Sequence, residues 1–284
     1  MKLRTFMLRR CARSLAPVVL AAVALTRCGG GGGSPSTPPA TPVSPTPSPV
    51  NPCAAVAPLL DPRFSIVNGV PCSTQQSDTS SVVWLQLLGS DGLAVAFCSG
   101  TVIDTQSVLT AAHCLTGTTK GVAAYMGTGK LPITTTEFYA SPGYTGVGPA
   151  SLDVGVVIFK ESLNRVSIPL LTSRAAVPGE SAVIAGWGTD GVFGGGSTLR
   201  AGTLAVSGVT DTYISANYST NTSGVCAGDS GGPFLIAIGG VWAVAGVTSS
   251  VTTGCLSGTS NYANVFNAEI RSFILKYVPA AAQR

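Results

Sequence analysis

From residue 66 to the C-terminus, short apolar runs are cut by Gly, Pro, Asn and Asp; residues 81–88 and 237–248 are the clearest examples. Runs of this length, bounded by turn residues and closely spaced, predict strands of a β-barrel or sandwich. One stretch follows another period. Residues 267–277 carry Ile270, Phe273 and Ile274 at helical spacing, which predicts a single helix near the C-terminus. The N-terminal end differs again. Basic residues from Lys2 to Arg13 precede an apolar run over residues 14–26, too short to span a bilayer and typical of an export signal. Residues 29–52 alternate Gly, Ser, Thr and Pro and contain almost nothing able to build a core. Glycine makes the first part flexible, and the prolines stiffen the rest towards polyproline II. The expected organisation is an export signal over 1–27, a disordered linker and pro-segment over 28–65, and a folded domain over 66–284.

Composition agrees with strands and turns. Of 284 residues, 45% are hydrophobic, only 10% are charged and 35 are glycine, which excludes a coiled coil or a charged disordered chain. The formal charge of +4 invites a nucleic-acid or membrane reading. Its location removes that reading. Lys2, Arg4, Arg9, Arg10, Arg13 and Arg27 stand in the leader without an acid, whereas acidic side chains outnumber basic ones beyond residue 66. A nucleic-acid footprint needs its basic residues on the folded face, so no nucleic-acid partner is expected. Cys28, followed by Gly29 to Gly33, resembles the lipidated cysteine of bacterial lipoproteins, which would attach the chain to a membrane. Arg27 stands where such signals normally carry a small residue, and cleavage after Ala24 is the competing outcome.

Of eight cysteines, Cys11 lies in the leader and Cys28 at the lipidation position. Cys53, Cys72, Cys98, Cys114, Cys226 and Cys255 remain, an even set that favours disulfides in an exported chain. A zinc site would want a C-x-x-C pair or several histidines, and the chain offers neither. No metal and no cofactor are expected.

His113 is the only histidine, within Thr110-Ala111-Ala112-His113-Cys114. Gly228-Asp229-Ser230-Gly231-Gly232-Pro233 sets a serine in a glycine-rich turn, and Asp153 opens an apolar run. A serine hydroxyl is a poor nucleophile at neutral pH. It needs an imidazole to take its proton, and the imidazole needs a carboxylate to fix its tautomer. Chain order then selects among families. The α/β-hydrolase elbow requires a histidine after the serine, and none exists here; the order His113, Asp153, Ser230 fits the chymotrypsin type.

From Ile66 onward the chain resembles the chymotrypsin/trypsin-like serine proteases. The matching pieces are Ile66-Val67-Asn68-Gly69, the block from Thr110 to Cys114, Asp153, Gly186-Trp187-Gly188, the block from Cys226 to Pro233, and the C-terminal helix. The resemblance implies an all-β fold of two antiparallel six-stranded barrels, about 66–168 and 169–284, with the site in the cleft between them. It implies a serine endopeptidase in which Ser230 attacks, His113 acts as base then acid, and Asp153 orients His113. The N–H groups of Gly228 and Ser230 would form the oxyanion hole. It further implies a zymogen. Cleavage of the Ser65–Ile66 bond by an activating protease would free an amine that pairs with Asp229. Arg63 lies two positions too early for trypsin-type activation.

The resemblance also suggests disulfides. Cys98–Cys114 would enclose the histidine loop and Cys226–Cys255 would flank the specificity pocket. Cys72 stands where relatives have a cysteine, but residues 199–203 hold no partner, which leaves Cys53 and a Cys53–Cys72 bridge tethering the pro-segment. Gly224, six positions before Ser230, would form the pocket base without a carboxylate. Ser250, Val251 and Ser260 would wall an elastase-like pocket for small uncharged residues, and Ser249 would help hold Asp153. Partners would then be protein or peptide substrates, met by an exported monomer that is secreted, periplasmic or surface-anchored. An inactive homologue acting as a binding module and a serine esterase of the same fold are the rival readings.

Overall fold

A computed structural model describes residues 51–56, 66–127, 131–146, 148, 151–189 and 198–284. The leader over 1–27, Cys28, Arg63, Ser65 and the rest of the linker apart from 51–56 lie outside the described residues. In chain order the elements are β1 (Val70–Pro71), α1 (Thr74–Thr79), β2 (Val82–Leu88), β3 (Ala94–Asp104), β4 (Ser107–Thr110), β5 (Gly121–Tyr125), β6 (Ile133–Thr135), β7 (Phe138–Ala140) and β8 (Gly155–Ile158). They continue with β9 (Ser181–Gly186), β10 (Arg200–Ala205), β11 (Gly208–Val209), β12 (Tyr213–Tyr218), β13 (Pro233–Ile238), β14 (Val241–Val251), β15 (Gly258–Asn264) and α2 (Ala268–Tyr277).

The strands form two antiparallel sheets of the chymotrypsin-like fold. One runs β6-β5-β2-β3-β4-β8-β7, the other β1-β10-β9-β13-β14-β15-β12-β11. The family resemblance implies six strands in each; seven and eight are observed, because short segments such as the two-residue β1 and β11 pair along the edges. All four residues of β4 are buried, and the strand pairs with β3 on one edge and β8 on the other. Leu85, Val102, Leu109, Val156 and Phe159 belong to one core cluster. Ile66, Ile184, Ile214, Phe234, Ile236 and Tyr262 belong to another.

The helix α2 follows its sequence cues. Asn267 caps it by accepting from the Glu269 and Ile270 N–H groups, and Glu269 and Lys276 stand at the ends that suit their charges. Ile270, Phe273 and Ile274 face inward, each contributing about 2 kcal/mol of burial. Replacing Asn267 by alanine would forfeit the cap, at about 1 kcal/mol. Among the described residues, no helix is long and apolar enough to cross a membrane.

Three disulfides join Cys53 to Cys72, Cys98 to Cys114 and Cys226 to Cys255. The first anchors a short 3-10 turn, Pro52–Ala55, in which Cys53 and Ala55 are buried. Val56 adds a backbone bond, accepting from the Ser81 N–H. The Cys72 N–H donates to Leu199 O at 3.0 Å. Cys72 therefore does lie beside the 199–203 segment, where no cysteine is available, and Cys53 fills the role.

Candidate active site

His113 and Asp153 meet because two strands run side by side. In the β4–β8 pairing, Thr110 stands opposite Gly155. His113 lies on the 3-10 turn just after β4 and Asp153 two residues before Gly155, so both emerge at the same end of the sheet. The imidazole Nδ1 lies 2.8 Å from Asp153 Oδ2, and the His113 backbone N–H donates to Oδ1 at 3.0 Å. A carboxylate only accepts, which assigns the ring proton to Nδ1 and leaves Nε2 able to take a proton. Asp153 is fully buried, whereas the His113 side chain is 24% exposed. Its ligating nitrogen and the Cys98 and Cys114 sulfurs lie within 4.8 Å of one another. Those sulfurs are joined to each other, so they pack against the ring rather than hold a metal.

Ser249 reaches the same carboxylate through a backbone irregularity. The β14–β15 register shifts between Thr248 and Ser250, leaving Ser249 without a ladder partner. A bulge of this kind re-aims one side chain, and Ser249 Oγ donates to Asp153 Oδ2 at 2.6 Å.

Ser230 sits half-buried in a turn pressed against the histidine-bearing strand. Gly231 has φ +81°, and a Cβ there would strike Thr110 Oγ1 and the Ser99 carbonyl oxygen. Only glycine permits both the backbone conformation and the approach. The Ser99 N–H donates to Ser230 O at 2.8 Å, and Ser99 Oγ donates to Gly228 O at 2.8 Å while accepting from the Trp187 N–H. The turn is therefore fixed from outside. Within it, the N–H groups of Asp229, Gly231 and Gly232 find acceptors on Cys226, Thr248 and Asp229. Among the described residues those of Gly228 and Ser230 have none, so two donors remain open beside the serine hydroxyl. No hydrogen bond joins Ser230 to His113 among the described residues.

Asp229 points the other way. Its carboxylate accepts from the Gly188 N–H at 2.9 Å and the Cys226 N–H at 2.8 Å. Burial pushes its pKa up to about 6, against the smaller lowering effects of the two N–H donors and the Arg200 charge. Ile66 is 1% exposed and belongs to the core cluster that also holds Val225. Val67 bridges to Gly224.

The expected pocket residues come together around β12, β14 and β15. Val251 and Ser260 are direct cross-strand partners. Ser260 is fully buried, its Oγ donating to Ala216 O and accepting from the Tyr262 hydroxyl, so its polar group is already satisfied by protein. A Cβ on Gly224 would lie 2.6 Å from the Tyr218 ring, which occupies the space behind that glycine. Ser250 is half-buried and accepts from Asn261 Nδ2 at 3.4 Å. Two further contributors carry no motif: Ser99, which braces the serine turn, and Tyr213, whose hydroxyl lies 3.2 Å from Ser249 Oγ. In the sequence both look like ordinary strand residues.

The family model described as Trypsin matches residues 66–273. A "Trypsin-like protease" of Streptomyces glaucescens is 29% identical over 175 residues, covering 54% of this chain and 64% of that protein. "Vitamin K-dependent protein C" of Mus musculus is 27% identical over 238 residues, covering 72% and 49% respectively. "Trypsin alpha-4" of Lucilia cuprina is 30% identical over 207 residues, covering 63% and 75%. The chain thus spans less than two thirds of the first two relatives. Among solved structures, one titled as HL collagenase superposes with a TM-score of 0.62 at 22% identity, over 75% of this chain and 99% of that one. At that identity the likeness concerns the fold.

Proposed function

The chain belongs to the trypsin family, and from that premise we propose that it is an exported serine endopeptidase working through Ser230, His113 and Asp153. The observation that carries the reading is the His113–Asp153 pair beside a serine turn with two open N–H donors. Ser230 Oγ attacks the scissile carbonyl while its proton passes to His113 Nε2. The developing oxyanion accepts from the Gly228 and Ser230 N–H groups, each worth about 3 kcal/mol in the transition state. His113 then protonates the leaving amine, and an acyl-enzyme ester remains on Ser230. Water, deprotonated by His113, completes the cycle. A hydrogen bond from Ser230 to His113, which the described residues do not show, is of a kind that forms only once substrate binds.

The proposal extends to activation and specificity. Cleavage before Ile66 supplies an amine for buried Asp229, whose charged form burial disfavours until a cation arrives. Gly224, Val251 and Ser260 accept a small uncharged side chain before the scissile bond, and the Ser249–Val251 backbone pairs with the substrate as an added strand. The three disulfides support an oxidising compartment. Lipidation of Cys28 would add surface attachment.

An organofluorophosphate tests the chemistry, with one label expected per chain, on Ser230. Absence of label in protein cut before Ile66 would leave the inactive-homologue reading. Hydrolysis of short esters without cleavage of casein would favour the esterase. A peptide-library profile on labelled-competent enzyme reads specificity: efficient cleavage after Arg and none after Ala or Val would overturn the pocket assignment. N-terminal sequencing of the same sample should begin at Ile66.

A further inference from the structure

Asp153 is the end of a longer hydrogen-bonded line than the triad requires, and proton counting gives the line a direction. Ser249 Oγ lies 2.6 Å from Asp153 Oδ2 and 3.2 Å from the Tyr213 hydroxyl. A carboxylate can only accept, so the single Ser249 proton is committed to Asp153. The Tyr213 hydroxyl must therefore be the donor in its bond to Ser249. Its own oxygen accepts from the backbone N–H of Gly148, in the loop that leads to Asp153. Donation thus runs one way, from Gly148 through Tyr213 and Ser249 to Asp153 and, on its other side, from His113 Nδ1 to the same oxygen.

The scaffold holds Tyr213 firmly. It opens β12 opposite Ala263 and is 4% exposed. Its backbone closes a turn on Thr210: the Tyr213 N–H donates to Thr210 Oγ1 at 2.9 Å, and the Thr210 N–H to Tyr213 O at 2.7 Å. Asn264 Nδ2 ties the same turn by donating to Thr210 O and Asp211 O. The titratable groups facing Tyr213 are Asp153 and Tyr144. Burial, more than the Asp153 charge, pushes the Tyr213 phenol above its ordinary value, so it stays a donor at neutral pH.

We infer that Tyr213 is a positioning residue for the triad: held by Gly148, it donates to Ser249 and so aims the only proton of that hydroxyl at Asp153. Without it, Ser249 Oγ loses its one incoming donor and can rotate away from the carboxylate. The bulge at Ser249 and the phenol of Tyr213 then work as a pair, one bringing the serine to Asp153 and the other fixing where its proton points. This inference rests on the proposed triad chemistry.

The test is a double-mutant cycle on enzyme cut before Ile66, with Tyr213→Phe, Ser249→Ala and both together. Tyr213→Phe keeps the buried ring and removes one hydroxyl. It should lower kcat by about fivefold with KM unchanged, the size of one hydrogen bond. Ser249→Ala should lower kcat by about tenfold. The double variant should match Ser249→Ala alone, because Tyr213 has nothing left to act through. Unchanged kcat in Tyr213→Phe, or a double variant that multiplies the two losses, would overturn the inference, since a merely structural tie to the Gly148 loop acts regardless of Ser249. Organofluorophosphate labelling separates the two failures. An unlabelled wild-type enzyme defeats the triad reading itself; a labelled wild type with full kcat in Tyr213→Phe defeats only the role of Tyr213. Should Tyr213→Phe not fold, Ser249→Thr carries the test. It keeps the hydroxyl but adds a methyl that constrains its rotation, so kcat above that of Ser249→Ala is expected, and equality with Ser249→Ala overturns the inference.

Discussion

Two aspartates in this molecule are equally hidden and differently served. Asp153 is fully buried and Asp229 is 2% exposed. Around Asp153 gather a backbone N–H, an imidazole and a hydroxyl, with a phenol behind the hydroxyl. Around Asp229 the hydrogen-bond donors are two backbone N–H groups, with the Arg200 charge acting on it less strongly than burial. Equal burial therefore does not mean equal electrostatics. The first carboxylate already sits beside the group whose charge it would stabilise; the second is held in a site that disfavours its charge, and a new amine at Ile66 would change that.

The largest way to break this contrast is Asp153→Asn in the activated enzyme. The amide would hold the imidazole in the wrong tautomer, and kcat should fall by about 10⁴-fold at unchanged labelling geometry. Steady-state hydrolysis of a peptide anilide reads this directly. A loss below tenfold would make Asp153 a structural carboxylate.

Asp229→Asn should act at the other end. In cut enzyme it would remove the proposed partner of the Ile66 amine and disturb the Gly228 and Ser230 donors, so kcat should fall by about a hundredfold. In uncut chain the amide oxygen can accept from only one of Gly188 and Cys226, while its NH2 faces the other N–H, so a loss of about 1–3 kcal/mol of stability is expected at every pH.

The pH dependence of the uncut chain sharpens the same contrast. The Asp229 carboxyl moves from 3.8 to about 6 in the folded state. Between those values the native chain holds a proton that the unfolded chain has released. The contribution of this group is thus fully present below pH 3.8, falls as pH rises through about 6, and is level above. Its span is on the order of 3 kcal/mol. Subtracting the Asp229→Asn stability curve, measured by denaturant melts from pH 4 to 7.5, should isolate that fall. A flat difference would mean that the N–H donors offset the burial.

The smallest expected effect belongs to the N-terminal cap of α2. Asn267→Ala should cost about 1 kcal/mol of stability by thermal melting, because it removes the cap acceptor of α2 and the bond from Asn267 Nδ2 to Asp211; an unchanged melting temperature would mean that packing alone holds the helix start.

Much of the fold was legible because strands and turns leave local marks. The runs at 81–88 and 237–248 correspond to β2 and to parts of β13 and β14, and the 3.6-residue spacing of Ile270, Phe273 and Ile274 corresponds to α2. The Cys53–Cys72 bridge was legible by elimination within the family frame, and the described structure contains it. Ser99 and Tyr213 were not legible. A serine inside a strand and an aromatic at a strand start have the same local pattern whether or not they touch a functional turn. The aim of Ser249 was equally hidden at the level of pattern, because the β14 bulge depends on how Thr248 and Ser250 register against β15.

By itself the sequence determined the chemistry on offer: one imidazole, a serine in the glycine-rich turn Gly228 to Gly232, a chain order and motifs that fit the chymotrypsin type, and an even set of cysteines beyond the leader. These follow from residue identity and order, which folding does not alter. The tertiary structure decided how each group is tuned. Whether a carboxylate meets donors or only low-dielectric surroundings depends on what distant segments bring to it: Tyr213 and Ser249 for Asp153, Gly188 and Cys226 for Asp229. Hydrogen bonds and desolvation act over a few ångströms of space, and separation along the chain carries almost no information about such distances.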